Sequence, residues 1–289
     1  MRVLLTGGNA FVSRALGPAL LSAEHEVTVC VRPASRPANW IAEGALQVVE
    51  VDLADAGAQA LLNGAPEAII HTAGRLDDPN TPLDLFIRDN FESTRNLLTL
   101  ANSAGTGKFI HFSSISVHGS VHNTEIDETT GAVQLTPYGL SKQMAEKCLA
   151  GQDLVSAVSI RLPGIVGPAA HKNWLTRCRA NLRANKPVKI SNPDFTFNNV
   201  IHSDDLAAFV LSLLDRNWSN FHAFPIAATA PMTIAMLIER MKSACGSLSE
   251  TTVVNGERPF AISTAYAEKN FGYIPATVDS IVSRFCADQ

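Results

Sequence analysis

Arg2-Val3-Leu4-Leu5-Thr6-Gly7-Gly8-Asn9-Ala10-Phe11-Val12-Ser13 is the stretch that decides how this chain reads. A short apolar run enters a glycine turn, and the turn opens a helix. Such a turn at the start of a strand–helix–strand unit aims backbone N–H groups and the helix dipole at a pyrophosphate. Gly7 suits the turn because glycine tolerates positive φ. The usual three-glycine spacing would fall on positions 7, 10 and 13, but Ala10 and Ser13 occupy the last two. Ala10 adds one methyl at the point of closest approach, and Ser13 is expected to loosen helix–strand packing a little. Alone, the pattern is weak, since a glycine turn after a strand is often only a turn.

Outward from this turn the alternation continues. Strands are expected over 2–6, 27–31, 47–51, 67–71, 108–113 and 156–161, with helices over 11–23, 55–63, 83–103 and 137–150. Strands alternating with helices imply right-handed crossovers and a parallel sheet covered on both faces. Val3-Leu4-Leu5 and Ala68-Ile69-Ile70 are continuous apolar runs, as burial on both faces requires. Pro18 inside the first helix predicts a kink or an early break. Beyond Gly167-Pro168 the alternation loosens. A cationic helix over 173–186, a polar loop over 191–199, a new element from Val200 and helices over 206–214 and 233–244 are expected there.

Composition agrees. Of 289 residues, 46% are apolar and 17% charged, enough for a large buried core and too apolar for disorder. Twenty-three Lys+Arg against 27 Asp+Glu leave a net charge of −4, which gives no reason to expect a nucleic-acid partner. Five scattered cysteines without a CxxC spacing fit a reduced, cytoplasmic protein with no structural zinc. The N-terminal apolar run is shorter than the ~7–15 residues of a signal-peptide core. No stretch approaches the ~18 apolar residues of a membrane span, so no membrane association is expected.

The end of the second strand bears on the cofactor. NAD calls for an acidic residue there to accept from a ribose hydroxyl. This chain has Val31-Arg32-Pro33-Ala34-Ser35-Arg36, and Arg32 and Arg36 suit a 2′-phosphate, which a guanidinium grips bidentately. NADP(H) is therefore favoured, with NAD(H) as the alternative if the two arginines are merely solvated.

Pro137-Tyr138-Gly139-Leu140-Ser141-Lys142 opens a further helix, with proline well placed in its first turn. Tyr138 and Lys142 stand at i, i+4 and project from one face. A free tyrosine has pKa ~10, and a nearby cation favours its phenolate. A phenol tuned in this way can exchange a proton with a carbinol oxygen while hydride moves to or from a nicotinamide. Upstream, Phe112-Ser113-Ser114-Ile115-Ser116-Val117-His118-Gly119 leaves the carboxyl end of a strand, where hydroxyls face the ligand crevice. Ser114 is the expected third catalytic member, bonding the substrate oxygen; Ser113 and Ser116 are the alternatives.

Thr6-Gly7-Gly8, His71-Thr72-Ala73-Gly74, Asn90, Ser114, Tyr138/Lys142 and Arg161-Leu162-Pro163-Gly164-Ile165-Val166-Gly167-Pro168 stand in the order of the extended short-chain dehydrogenase/reductases. The chain resembles their NAD-dependent epimerase/dehydratase group from Met1 through Phe271-Gly272-Tyr273-Ile274-Pro275. The resemblance implies an α/β chain, a Rossmann-type doubly wound parallel sheet with a smaller C-terminal substrate-binding lobe. Residues 1–167, with a return segment about 198–226, would form the NAD(P)-binding domain; 168–197 and 227–289 would form the lobe. It also implies cofactor contacts from Gly7, Asn9, Ala10, Phe11 and Val12 in the turn. Asp52 and Leu53 would flank the adenine, and Thr72, Ala73 and Gly74 the pyrophosphate and ribose. Lys142 would hold the nicotinamide ribose beside Tyr138, with Asn90 orienting Lys142 or the ribose. Pro163 to Ile165 would line the nicotinamide end. A homodimer packing through helices 83–103 and 137–150 follows from the same resemblance.

A 4,6-dehydratase of this group has two acidic residues directly after its catalytic Ser or Thr, because β-elimination needs its own acid and base. Ile115 and Ser116 follow Ser114 here, which argues against dehydration and leaves a 4-epimerase or a ketone reductase. The arginines, if they hold NADPH, favour the reductase. A nucleotide-linked sugar would find cations at Arg177, Arg179, Arg183, Lys186 and Lys189, with Asn173 and Trp174 upstream, although such a run is usually a solvated face. Asn198 and Asn199 stand where the family often begins a segment with arginine, which weakens the expected diphosphate contact. His118 occupies a position where relatives commonly carry a substrate-facing tyrosine. His118 and His122 lack a third metal ligand of familiar spacing. A reductase of a non-sugar ketone is the rival reading. A cofactor sensor without turnover is the other, and the retained Tyr138 and Lys142 argue against it.

Overall fold

Among the described residues, seven extended stretches join one sheet. They are β1 (Arg2–Thr6), β2 (Glu26–Val31), β3 (Gln47–Glu50), β4 (Ala68–His71), β5 (Lys108–Ser114), β6 (Ser156–Leu162) and β7 (Phe221–Pro225). The structure is a computed structural model and describes residues 1–45, 47–55, 65–256 and 259–288. All four residues of β4 are buried, as are the last four of β1, so the apolar runs reflect cover on both faces. The strand order is β7-β6-β5-β4-β1-β2-β3. β1 pairs in parallel with β2 and β4, β2 with β3, and β4 with β5. Chain order therefore reverses between β1 and β4, the switch point at which open α/β sheets leave a crevice at the carboxyl ends of their strands. The register sets Thr6 level with both Cys30 and His71, so three strands end together at that crevice.

Six of these strands lie where hydrophobic patterning places them. The seventh, β7, is a sheet edge with its first three residues only half-buried, so it lacks the apolar run of a central strand. Helix α1 (Ser13–Ser22) runs past Pro18, and the early break expected there does not occur. Pro18 is exposed, so its ring meets solvent rather than the sheet. The helix expected over 55–63 lies almost wholly outside the described residues.

The single helix expected over 83–103 has three parts: a turn at Leu83–Phe86, a wide π turn at Ile87–Glu92, and α2 (Ser93–Ala104). Hydroxyls bond the carbonyls of the wide turn, Ser93 to Asp89 at 2.7 Å and Thr94 to Asn90 at 2.7 Å. The consecutive residues Asp89 and Asn90 are consequently both buried. Helix α3 (Pro137–Ala150) has the bounds its pattern predicts, with Thr136 capping it by accepting from the Gly139 amide at 3.1 Å.

The chain divides into two compact units. The first holds residues 1–120, 131–161 and 207–224, and with them nearly all of the sheet; the second holds 121–130, 162–206 and 225–289. In the second unit Gly164–Val166 pairs in parallel with Val200–His202. Its longer helices are α4 (Trp174–Arg183), α5 (Ser203–Leu214, which continues into the first unit), α6 (Ile234–Cys245) and α7 (Val278–Ala287). Asp204 and Asp205 open α5, where the helix dipole favours acidic side chains. Among the described residues no helix is long and apolar enough to cross a membrane.

Candidate active site

At the carboxyl ends of β1 to β4, within the first unit, lies a cleft of about 290 Å³. Of the residues expected at a cofactor, Gly7, Asn9, Ala10 and Arg32 line it from one side. Asp52, Leu53, Thr72, Ala73 and Gly74 line it from the other. Phe11, Val12 and Arg36 are not among the lining residues; Phe11 and Val12 lead into α1, and Arg36 is exposed on the loop after β2.

Gly7 has φ +70°, and a Cβ there would come within 2.7 Å of the Thr72 hydroxyl. Ser13, expected to loosen the packing, tightens it. Its hydroxyl donates to the Gly7 carbonyl at 2.9 Å and meets the Thr72 hydroxyl at 3.1 Å, and the residue is fully buried. The serine thus replaces a close glycine contact with two hydrogen bonds. Asn9 turns its side chain to the loop after β2, donating to Ser35 at 3.2 Å and accepting from the Ala38 amide at 2.8 Å. That ties the loop bearing Arg32 to the glycine turn.

A charged network that patterning did not reveal closes one side of the cleft. Asp89, buried in the π turn, accepts from Arg75 Nε at 2.8 Å and Arg88 Nη1 at 2.9 Å. Arg88 also reaches Asp52 at 2.8 Å and Asp55 at 3.0 Å. Burial pushes the Asp52 carboxyl up, but hydrogen bonds from Arg88 and the Ala54 amide outweigh it and hold the group below its ordinary value. No sequence spacing announces this network, because its members come from separate segments of the chain.

Ser114 ends β5, and Tyr138 is the second residue of α3. The Ser114 hydroxyl lies beside the buried phenol, and the Tyr138 ring packs edge-on to Phe86 with centroids 5.9 Å apart. Burial pushes the phenol up to about 12 against the lowering effect of the neighbouring Ser114 hydroxyl. The expected lowering by Lys142 is not what the structure shows. The Lys142 ammonium donates to the Phe112 carbonyl at 2.8 Å, and burial pulls its own pKa down to about 8, with Glu146 opposing. Asn90 likewise does not bond Lys142. It accepts from the Arg75 amide at 2.7 Å and donates to the Ser141 hydroxyl at 2.9 Å, pinning the loop after β4 to α3. Beneath them, Glu146 accepts from Ser113 at 2.6 Å and from Arg161 at 2.9 Å. This makes Ser113 a structural anchor and leaves Ser114 as the hydroxyl at the phenol. Ser116 is bonded to Ser114 at 3.1 Å, and His118 is buried in the short 3-10 turn that follows.

The remaining candidates lie in the second unit. Pro163 is buried, and Ile165 pairs with Ile201. Asn173 caps α4, accepting from the Thr176 amide at 2.8 Å and donating to the Ile165 carbonyl at 2.8 Å. Arg177 is exposed on α4. Two cations of the same helix are spent on structure: Arg179 stacks 3.8 Å from the Phe285 ring centroid, and Arg183 donates to the Cys286 carbonyl at 2.9 Å, together binding the end of α7. Asn198 is buried and donates to Ala228 O at 3.1 Å and Ile262 O at 2.8 Å, fastening three segments together. Among the described residues no cluster of three His, Cys, Asp or Glu side chains could hold a metal.

Comparison with known proteins matches this arrangement to a family. The model of the NAD dependent epimerase/dehydratase family matches residues 3–227. A UDP-glucose 4-epimerase of Azospirillum brasilense is 29% identical over 240 residues, covering 74% of this chain and 68% of that protein. A 2'-dehydrokanamycin reductase of Streptomyces kanamyceticus is 27% identical over 257 residues, covering 85% of this chain and 67% of the reductase. Among solved structures, the Bordetella bronchiseptica enzyme WbmG, crystallised with NAD and UDP, superposes with a TM-score of 0.85 at 20% identity. The match covers 99% of this chain and 94% of WbmG, and at that identity it shows a shared fold.

Proposed function

This chain belongs to the NAD dependent epimerase/dehydratase family and is an enzyme of its epimerase/reductase kind; we propose that it transfers hydride at a carbinol or ketone carbon of a nucleotide-linked sugar. The reading rests on one observation: the buried Tyr138 phenol stands beside Ser114 at the carboxyl end of β5, with Lys142 buried one turn along the same helix. The positive φ at Gly7 and the cation at Arg32 fit the adenosine and pyrophosphate end of a nicotinamide dinucleotide. Amides of the glycine turn would meet its pyrophosphate, Asp52 and Leu53 its adenine, and Lys142 its nicotinamide ribose. A bound nicotinamide supplies or accepts hydride.

The protein's part is proton transfer. Tyr138, held at about 12, stays protonated near neutral pH and offers its proton to a substrate oxygen that Ser114 also bonds. The cation at Arg32, if it holds NADPH, favours a 4-keto reductase over a 4-epimerase. Arg32 at the cleft supports NADP(H) as the preferred cofactor, with NAD(H) accepted. Dehydration is excluded from the proposal, because Ile115 and Ser116 after Ser114 supply neither acid nor base.

A second reading has its own support. Asn198, Arg179 and Arg183 are all occupied by protein carbonyls, so none of them is spare for a diphosphate. A ketone without a nucleotide is the alternative substrate; the Streptomyces relative is named a 2'-dehydrokanamycin reductase. A thermal-shift panel of NAD, NADP and nucleotide sugars separates the two, because stabilisation follows mass action. Stabilisation by one nucleotide sugar supports the first reading; cofactor-only stabilisation overturns it. Tyr138→Phe should abolish turnover while keeping cofactor binding, and retained turnover would remove Tyr138 from the chemistry.

A further inference from the structure

We infer that Asp89 sets the dinucleotide preference of the cleft by competing with a cofactor's 2′-phosphate for the guanidinium of Arg32. The inference deepens the cofactor reading above and rests on Arg32 being the phosphate ligand. Asp89 lines the cleft, yet its side chain is only 1% exposed, and three guanidiniums converge on it. Arg75 approaches to 2.6 Å and Arg88 to 2.9 Å, while Arg32 makes a single contact at 3.4 Å and remains 60% exposed.

These unequal distances carry the argument. The Asp89 charge is already met by Arg75 and Arg88, so the departure of Arg32 leaves no buried charge unpaired. With a dinucleotide lacking the phosphate, Arg32 rests on Asp89 and needs no other anion. With a phosphorylated one, it can turn outward to a stronger, bidentate partner. The carboxylate therefore handicaps the phosphorylated cofactor by offering its arginine an alternative home. The π turn makes this geometry available, because it buries both Asp89 and its neighbour Asn90.

The test is the ratio of NADPH to NADH affinity, by calorimetry on the purified enzyme, for wild type, Asp89→Asn, Arg75→Gln and Arg32→Ala. The first two substitutions are repeated in the Arg32→Ala background. Asp89→Asn is expected to raise the ratio about tenfold, and Arg75→Gln to lower it about tenfold by leaving Asp89 hungrier for Arg32. Without Arg32, both substitutions should move the ratio less than about twofold, which is what a competition requires and a simple field effect does not. An unchanged or lowered ratio for Asp89→Asn overturns the inference, as does an equal shift with and without Arg32. Should Asp89→Asn fail to fold, Arg75→Gln decides alone: no Arg32-dependent fall in the ratio overturns the inference. If Arg32→Ala itself leaves the ratio unchanged, the phosphate reading of Arg32 falls and the inference with it. If Arg32→Ala lowers the ratio while Asp89→Asn does nothing, only the inference falls.

Discussion

The Lys142 ammonium lies 3.3 Å from where a Cβ on Gly74 would stand, and the Asn90 amide oxygen lies 2.7 Å from that same point. Two functional side chains therefore fill the space a side chain at 74 would need. Gly74→Ala is expected to push both aside and misplace Lys142 by a few tenths of an ångström or more. A misplacement of about 1 Å can cost roughly a hundredfold in rate, so kcat should fall about ten- to a hundredfold. Steady-state kinetics checks this, and a variant with unchanged kcat would show that the loop gives way freely.

Gly139 plays a matching part for Tyr138. A Cβ there would meet the Ser116 carbonyl at 2.2 Å, so the first turn of α3 can approach the 3-10 turn after β5 only as glycine. Gly139→Ala should cost about 1–3 kcal/mol of stability, as overpacking does, and separate Tyr138 from Ser114. Urea unfolding gives the first quantity. The second shows as a fall in kcat larger than that of an alanine variant at a nearby surface position.

Lys142 makes stability depend on pH. Its pKa is about 8 when folded against 10.5 for an ordinary lysine, so between these values the unfolded chain binds the extra proton. Stability then rises with pH across that window, in which wild type should gain about 3 kcal/mol relative to Lys142→Met. Below pH 8 the gap between the two should stay level. Urea midpoints at several pH values read the difference directly, and a wild type that loses ground to Lys142→Met as pH rises would contradict the assignment.

Arg161 is a close counter-ion of buried Glu146, which also accepts from Ser113. Arg161→Ala should cost about 3–5 kcal/mol, because it strands a buried carboxylate. The double change Arg161→Met with Glu146→Leu should cost much less. Equal losses for the single and the double variant would mean that packing rather than charge holds this region.

Much of the molecule is legible from residue order. Six of the seven strands, all but β7, and the bounds of α3 follow from apolar runs and from Pro137 at a helix start, since those are local signals. The packing role of Ser13 is not legible in the same way. A hydroxyl in place of a glycine reads as bulk until its partners, the Gly7 carbonyl and the Thr72 hydroxyl, are in view. Asn173 suggests a ligand contact by its position, yet its amide serves backbone groups at Ile165 and Thr176. A capping or pinning role depends on which carbonyls arrive nearby, and spacing along the chain does not encode that.

By itself, then, the sequence determined the class of sheet, the glycine turn and the Tyr138–Lys142 pair, because strand periodicity and i, i+4 spacing are properties of neighbouring residues. Tertiary structure alone decided that the phenol is raised rather than lowered, that Asn90 pins the loop after β4 to α3, and that Asp89 gathers three arginines beside the cleft. Burial and the convergence of separate loops set those properties, and both arise only once the chain has closed on itself.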